Sequence, residues 1–156
     1  MSSGQAITNL IIILIVFYFA AFFVAAEFAI VSVRKSAIES ALENEEGNQR
    51  KLKLALKMVT NMNEYLSTTQ VGISTTGIIL GWIGADTLTK ILTDVLGFMP
   101  INHATTVAIS AVLGVVILTY LEVVVTEIVP KNISIDMPLK VMMFIVTPLH
   151  YFHVAF

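Results

Sequence analysis

The residues with the clearest chemical potential lie in one stretch, residues 119–133, which reads TYLEVVVTEIVPKNI. It closes a long apolar run and carries two carboxylates, Glu122 and Glu127. An ionisable side chain inside a membrane span is costly and indicates a functional site. Pro130 has no N–H, so a helix that continues through it leaves the carbonyl of Thr126, four residues back, without its donor. That carbonyl and the Glu127 carboxylate would be two hard oxygen ligands of the kind that Mg2+ and Ca2+ prefer.

The same stretch also has a purely structural interpretation. Pro130 would end the helix at the membrane surface, and Glu127 would pair with Lys131 one turn further on. Glu122 and Glu127 are five residues apart, which separates them by about 140° around an ordinary helix. A π-bulge would bring the two carboxylates closer, and such bulges cluster at functional sites. The residues alone leave these alternatives open.

Composition indicates a membrane protein. Of 156 residues, 56% are hydrophobic and 13% are charged, and the mean hydropathy is +0.86, whereas soluble domains carry roughly 25% charged residues. A net charge of −2 supplies no basic surface for nucleic acid. The sequence has no cysteine, which excludes disulfides and thiolate metal sites. It also contains no nucleophile–base pair, HExxH motif or phosphate loop, so we do not expect an enzyme.

The apolar runs predict an all-α integral membrane fold over residues 1–156, with three transmembrane helices. Each predicted span reaches the roughly 20 apolar residues that cross a bilayer. The expected elements, in order, are a first span at about 7–33, a cytosolic helical hairpin at 34–63, a second span at about 65–83, an outer connection with a short amphipathic helix at 84–103, a third span at about 104–129 and a juxtamembrane belt helix at about 137–156.

The distribution of basic residues predicts the orientation. Arginine and lysine are concentrated in the hairpin, residues 34–63. By the positive-inside rule this segment is cytoplasmic, which places the N-terminus outside and the C-terminus in the cytoplasm. We therefore expect a multi-pass protein of the cell (plasma) membrane. The chain ends on an apolar, aromatic stretch without a polar tail, so we also expect a fragment of a longer protein.

The second predicted span is unusually polar. Ser67, Gln70, Ser74, Gly77 and Gly81 recur at spacings of three and four residues and so share one helical face. Small and hydroxyl residues of this kind can serve only to pack membrane helices tightly. The polar groups of its first half exceed what packing needs, which favours a cavity reached by water or ions from the cytoplasm.

Several stretches together resemble one family. FFVAAEFAIVSVRKSAIE, EYLSTTQVGISTTGIILGWIGADTL, EIVPKNISI and the aromatic tail are similar, in order and spacing, to the transmembrane domain of the CorC/CNNM family. That family, also called hemolysin-like, comprises magnesium (and cobalt) transporters. The resemblance covers nearly the whole chain. It implies a homodimer that moves Mg2+ coupled to Na+, followed in the longer protein by ATP-binding CBS domains and often a small C-terminal domain.

The resemblance also implies a metal site between the three helices. Glu127 matches the family's acid before x-x-Pro, although relatives usually have Gly where this chain has Thr126. Ser67 and Thr68 match the hydroxyl motif of the second helix, and Gly77 stands where some relatives have Asn. The implied ligands are Glu127, the carbonyl of Thr126, Ser67, Thr68, Gln70 and Glu27.

The first helix departs from the family pattern. Many relatives carry serines around the positions of Val24 and Ala26, and this chain does not. Glu27 is the only acid there; it either joins the site or pairs with Arg34 or Lys35 at the interface. The thinner ligand set keeps a second function open, namely an ion-sensing or regulatory membrane module that does not itself transport.

Overall fold

The computed structural model describes residues 2–155, and every regular element in that range is a helix. Met1 and Phe156, which the predicted domain includes, lie outside the described residues. The α-helices are α1 (Ser3–Ser32), α2 (Lys35–Glu43), α3 (Gln49–Thr60), α4 (Met62–Ile79), α5 (Ala85–Val95), α6 (His103–Glu122), α7 (Val129–Asp136) and α8 (Pro138–Ala155). Two π-helical segments, Leu80–Gly84 and Val123–Ile128, join α4 to α5 and α6 to α7.

Three helical segments in the described chain are long and apolar enough to cross a membrane. They are Ser3–Ser32, Met62–Phe98 and His103–Asp136. The all-α membrane fold predicted from the apolar runs is therefore confirmed. The second and third segments extend well past the predicted ends at residues 83 and 129, because in each case a π-helical turn carries the helix onward.

The predicted outer connection at 84–103 differs most from the structure. Instead of a separate amphipathic helix on the membrane surface, α5 continues α4 and packs lengthwise against α6. Gly84 makes this possible, since a Cβ there would lie 2.9 Å from Leu118 Cδ1. The missing side chain thus allows the second and third spans to pack closely at this point.

The first helix is the centre of the fold. It packs against α4 on one side, against α7 and the second π segment on another, and against α8 on a third. Its C-terminal part is fully buried, with Ala26, Ala29 and Ile30 having no exposed surface. Phe23 lies so close to α4 that a Cβ on Gly72 would stand 2.5 Å from its ring. Every element around the candidate site is therefore positioned by α1.

The polar segment folds as the expected helical hairpin, α2 followed by α3. Gly47 turns the chain with a φ of 73°, in the left-handed region that favours glycine. The Asn48 side chain then caps α3 by accepting a hydrogen bond from the Lys51 N–H at 3.2 Å. The apolar face of the hairpin packs into one core with α1 and α8, which includes Ile38, Leu52, Ala55, Met58, Met142, Ile145, Val146 and Leu149.

Candidate functional site

The third span is π-helical over Val123–Ile128, a segment that follows Glu122 directly and contains Glu127. The Val129 N–H bonds to the carbonyl of Val124, five residues back. Pro130, which has no N–H, stands five residues after Val125 and four after Thr126. The Val125 carbonyl therefore has no backbone donor five residues on, and the Thr126 carbonyl has none four residues on, at the level of Glu127. The sequence predicted this gap at Thr126; the π register extends it to Val125.

The helix continues beyond Pro130 to Asp136, so the proline does not end it. No ion pair joins Glu127 to Lys131 in the described residues, where the only pairs within 4 Å are Lys90–Asp86 and His153–Glu64. Lys131 instead places its Nζ 5.0 Å from the centre of the Phe28 ring on α1. Glu127 remains exposed at the surface of the chain. The structure therefore does not support the interpretation in which Pro130 ends the helix and Glu127 pairs with Lys131.

Glu122 lies one π-turn before Glu127. Since π-helical bonds join residues five apart, the two acids stand nearly above one another, and their charges repel. The Thr126 hydroxyl donates to the Glu122 carbonyl at 2.6 Å and fixes the turn. The Glu122 side chain is half-buried and reaches α4, where a Cβ on Gly77 would lie 3.8 Å from its Oε1.

α4 and the second π segment both lie against α1, and we call the space between them over α1 the cleft. Both pack extensively on α1, but within the described residues they do not pack extensively on each other. They converge where Glu122 meets Gly77 and are held together beyond it by α5 and α6. The cleft thus ends, on the side of α5 and α6, where Glu122 meets Gly77, and α1 is its floor.

Glu27 belongs to that floor. Phe23 touches α4 at Gly72, and Phe28 lies under Lys131 of α7. Glu27 is one turn beyond Phe23 and adjacent to Phe28, so helical periodicity places it between α4 and α7. It is half-buried and makes no ion pair with Arg34 or Lys35. A third carboxylate therefore faces the cleft that holds Glu122 and Glu127.

The polar residues of α4 are distributed differently from the prediction. The Thr68 hydroxyl is buried and lies 2.8 Å from His153 Nδ1, so it faces α8. Ser67 is exposed and donates to its own helix, at the Asn63 carbonyl. It is also about 15 Å along α4 from Gly77, the position that faces Glu122. In this conformation neither hydroxyl shares a site with Glu127.

Gln70 is the predicted α4 ligand that remains available. Its side chain is exposed, one turn from Ser74 and two from Gly77, on the polar face predicted from the sequence. The full predicted set is not brought together. Among the described residues, no three His, Asp or Glu side chains converge closely enough to hold a metal ion. A complete site would require α4 and the π segment to approach each other over α1.

The structure adds Glu122, which the predicted ligand set left out. On an ordinary helix it would have pointed away from Glu127, and only a π-turn aligns the two. The signal that could have identified it is Gly77, since a missing side chain on one polar helix leaves room for a carboxylate from another. A hydroxyl also links α7 to the floor: Ser134 Oγ donates to the Ala25 carbonyl at 2.9 Å, and Ser134 is fully buried.

Comparison with known proteins identifies the family of the chain. Residues 10–156 match the family described as the cyclin M (CNNM) transmembrane N-terminal domain. The chain belongs to the CNNM family. This family is linked to Mg2+ transport and is a membrane transporter domain rather than a known enzyme family. The resemblance noted from the sequence motifs is thereby confirmed.

Individual CNNM relatives are similar over nearly the whole chain. The UPF0053 protein YugS of Bacillus subtilis (strain 168) is 38% identical over 151 residues, which are 94% of this chain and 34% of that protein. YhdP of the same organism is 36% identical over 147 residues, 94% of this chain and 32% of that protein. The Synechocystis protein sll0260 is 41% identical over 118 residues, 74% and 25% respectively. The chain thus spans about a third of the length of the first two relatives.

Proposed function

We propose that this domain binds Mg2+ in the cleft between α4 and the second π segment and carries it across the membrane. The observation that supports this most is the π-turn itself. It places two carboxylates and an interrupted row of backbone carbonyls inside a membrane-spanning segment, next to a cleft. Carboxylate and carbonyl oxygens are the ligands that Mg2+ takes from proteins, and they offer no soft donor.

The proposed ligands come from all three spans. The third span contributes Glu127 and the carbonyl of Thr126 or Val125. The first span contributes Glu27, and the second contributes Gln70. Glu122 supplements this set from the closed end of the cleft. Thr68 would have to leave His153 to reach the ion, and Ser67 would have to rotate inward, so both are ligands only in another conformation.

Transport then follows from opening and closing the cleft. In the described conformation α4 stands apart from the π segment, and the ligands are separated. Closing α4 and the π segment over α1 would gather the oxygens and shut the entrance near the hairpin. Reopening at the opposite end would release the ion. Na+ also prefers oxygen ligands, and we propose that it occupies the same carboxylates on the return step, which couples the two ions.

Orientation and assembly complete the proposal. The basic hairpin places the open end of the cleft in the cytoplasm of a cell whose plasma membrane the domain spans, with the N-terminus outside. The polar face of α4 is exposed on the single chain, at Ser67, Gln70 and Ser74. Such a face is costly against lipid, and the cleft keeps it in contact with water and ions. We propose in addition that two copies of the domain form a homodimer, as the CNNM resemblance implies. Co2+ would compete for the site as a similar divalent ion, and ATP would act only through CBS domains beyond this chain.

Ion flux tests this function directly. The purified chain is reconstituted into liposomes that contain a fluorescent Mg2+ indicator, and uptake is followed with and without a Na+ gradient. We expect Mg2+ uptake in the wild type and background uptake in Glu127→Gln. Mg2+ binding without flux would contradict transport by this domain and favour the ion-sensing module.

A further inference from the structure

A second polar pocket lies away from the cleft, between the first turn of α3 and the middle of α8. Its volume is about 200 Å3, and it is lined mainly by Asn48, Arg50, Lys51, Thr147, His150 and Tyr151. The two cations come from the hairpin, and the remaining polar groups come mostly from α8. No carboxylate lines this pocket. Its donors are therefore suited to an anion.

The cations of this pocket have no ionic partner in the described chain. The ion pairs of the described residues involve Lys90 and His153, so neither Arg50 nor Lys51 is neutralised. The Asn48 cap also holds the first backbone N–H groups of α3 at the same place. Exposed N–H groups at a helix start add positive potential to the two side-chain charges. The pocket thus concentrates positive charge without an internal counter-ion.

The fold places this pocket at a membrane boundary. α1 ends its span at Ser32 and α4 begins the next at Met62, so the hairpin between them stands where the chain leaves the bilayer. Beside the pocket, α8 exposes Phe144, Tyr151 and Val154, which are 64%, 65% and 68% exposed. These three recur at helical spacing on one face, as in a helix that lies in the lipid interface. Phosphate groups of lipids occupy that level in either orientation of the domain.

We propose that this pocket binds the phosphate group of an anionic phospholipid. Arg50 and Lys51 would hold the phosphate oxygens, as charge-assisted donors do. The hydroxyls of Thr147 and Tyr151 lie on the α8 side, and the exposed face of α8 accommodates the acyl chains. The lipid would bridge the hairpin and α8, because its phosphate would contact the basic start of α3 and its acyl chains would contact the exposed apolar face of α8.

The bound headgroup would also contact the second span through one histidine. His150 Nδ1 lies 3.3 Å from the Tyr65 hydroxyl, at the start of α4, which leaves Nε2 as the nitrogen available to the pocket. Tyr65 is buried and stacks on His153 at 4.3 Å between ring centres. A lipid phosphate that contacts His150 Nε2 would therefore stabilise the contacts among His150, Tyr65 and His153 at the first turn of α4.

A lipid titration of the purified chain in neutral detergent tests this proposal. The thermal unfolding midpoint is measured against dioctanoyl phosphatidylglycerol, dioctanoyl phosphatidylcholine and inorganic phosphate, since a ligand of the folded state raises it by mass action. The test variant is Arg50→Gln with Lys51→Gln. The matched control is Lys53→Gln with Lys57→Gln, which removes the same charge from exposed positions of α3 outside the pocket.

The expected result is a saturable rise with phosphatidylglycerol in the wild type and in the control. The half-saturation concentration should increase about thirtyfold in the test variant, as each basic side chain contributes roughly fivefold near an anionic surface. Equal weakening in both double variants would overturn the site, because net charge alone would explain it. An equal response to phosphatidylcholine would overturn the preference for an anionic lipid, and an equal response to inorganic phosphate would overturn a lipid as the ligand. Single variants Lys51→Gln and Lys53→Gln repeat the comparison if either double variant does not fold.

Discussion

The carboxylate of Glu122 reaches the neighbouring span at Gly77. A Cβ on Gly77 would lie 3.8 Å from Glu122 Oε1, which is ordinary van der Waals contact. This is the point at which the polar face of α4 and the acids of the third span meet. Some relatives are expected to carry an amide at the position of Gly77, and here a carboxylate from another helix enters that space instead. The closed end of the cleft is therefore acidic.

Alanine at two glycines of α4 should have unequal effects. At Gly72 the added Cβ would fall 2.5 Å from the Phe23 ring, whereas at Gly77 it meets nothing closer than 3.8 Å. We expect Gly72→Ala to lose about 1–3 kcal/mol of stability through overpacking, and Gly77→Ala to unfold near the wild-type temperature. Thermal unfolding in detergent measures both. Equal midpoints for the two variants would show that Phe23 does not pack against α4 as described.

Removing the proline of the third span should weaken the ion site and preserve the fold. Pro130→Ala restores an N–H that can bond to the carbonyl of Thr126 or Val125, so the ladder closes over a proposed ligand. We expect the Mg2+ concentration that half-saturates the thermal shift to rise about tenfold, because a polar contact to a charged group contributes on the order of 1.5 kcal/mol. The matched control is Pro148→Ala in α8, since Pro148 is also inside a helix but lies away from the cleft. The same change in both variants would contradict a specific role for Pro130.

The hydroxyl of Thr68 should prove structural in this conformation. Thr68→Val keeps the shape of the side chain and removes the bond to His153 Nδ1, which is 2.8 Å long. We expect a loss of about 1 kcal/mol, the usual value of a side-chain hydrogen bond. The exposed Ser67→Ala should cost less, because its hydroxyl bonds only within α4. A Thr68→Val variant that keeps its thermal midpoint but loses the Mg2+ response would make Thr68 a ligand instead.

The membrane spans, and the interrupted helical hydrogen bonding before Pro130, could be predicted from the sequence because each has a local cause. Apolar run length predicts a membrane helix, and a proline after an acid predicts an interrupted ladder. The helix of the second span continues past residue 83, its predicted end. Gly81 and Gly84 do not interrupt it, because a membrane span keeps its backbone hydrogen-bonded through them. Only packing against Leu118 reveals what Gly84 does there.

The orientation of the hydroxyls could not be read from the sequence. Thr68 meets His153 across 85 residues of chain, and no spacing rule connects positions so far apart. The same holds for Ser134 and Ala25, whose hydrogen bond joins α7 to the first span. Motif similarity predicted which residue types the site would use. Which of them face the cleft depends on how α8 packs, and that is a property of the folded chain.

The most direct test of the proposed Mg2+ site is a Mg2+ titration of thermal stability in detergent for the wild type, Glu127→Gln and Glu122→Gln. Glu39→Gln, at an exposed acid of the hairpin, is the control for lost charge. We expect a saturable rise in the unfolding midpoint for the wild type and the control, because Mg2+ binds the folded state. Glu127→Gln should lose the response, and Glu122→Gln should weaken it. A wild-type response in Glu127→Gln would contradict the site at the π-turn, and with it the route proposed for Mg2+.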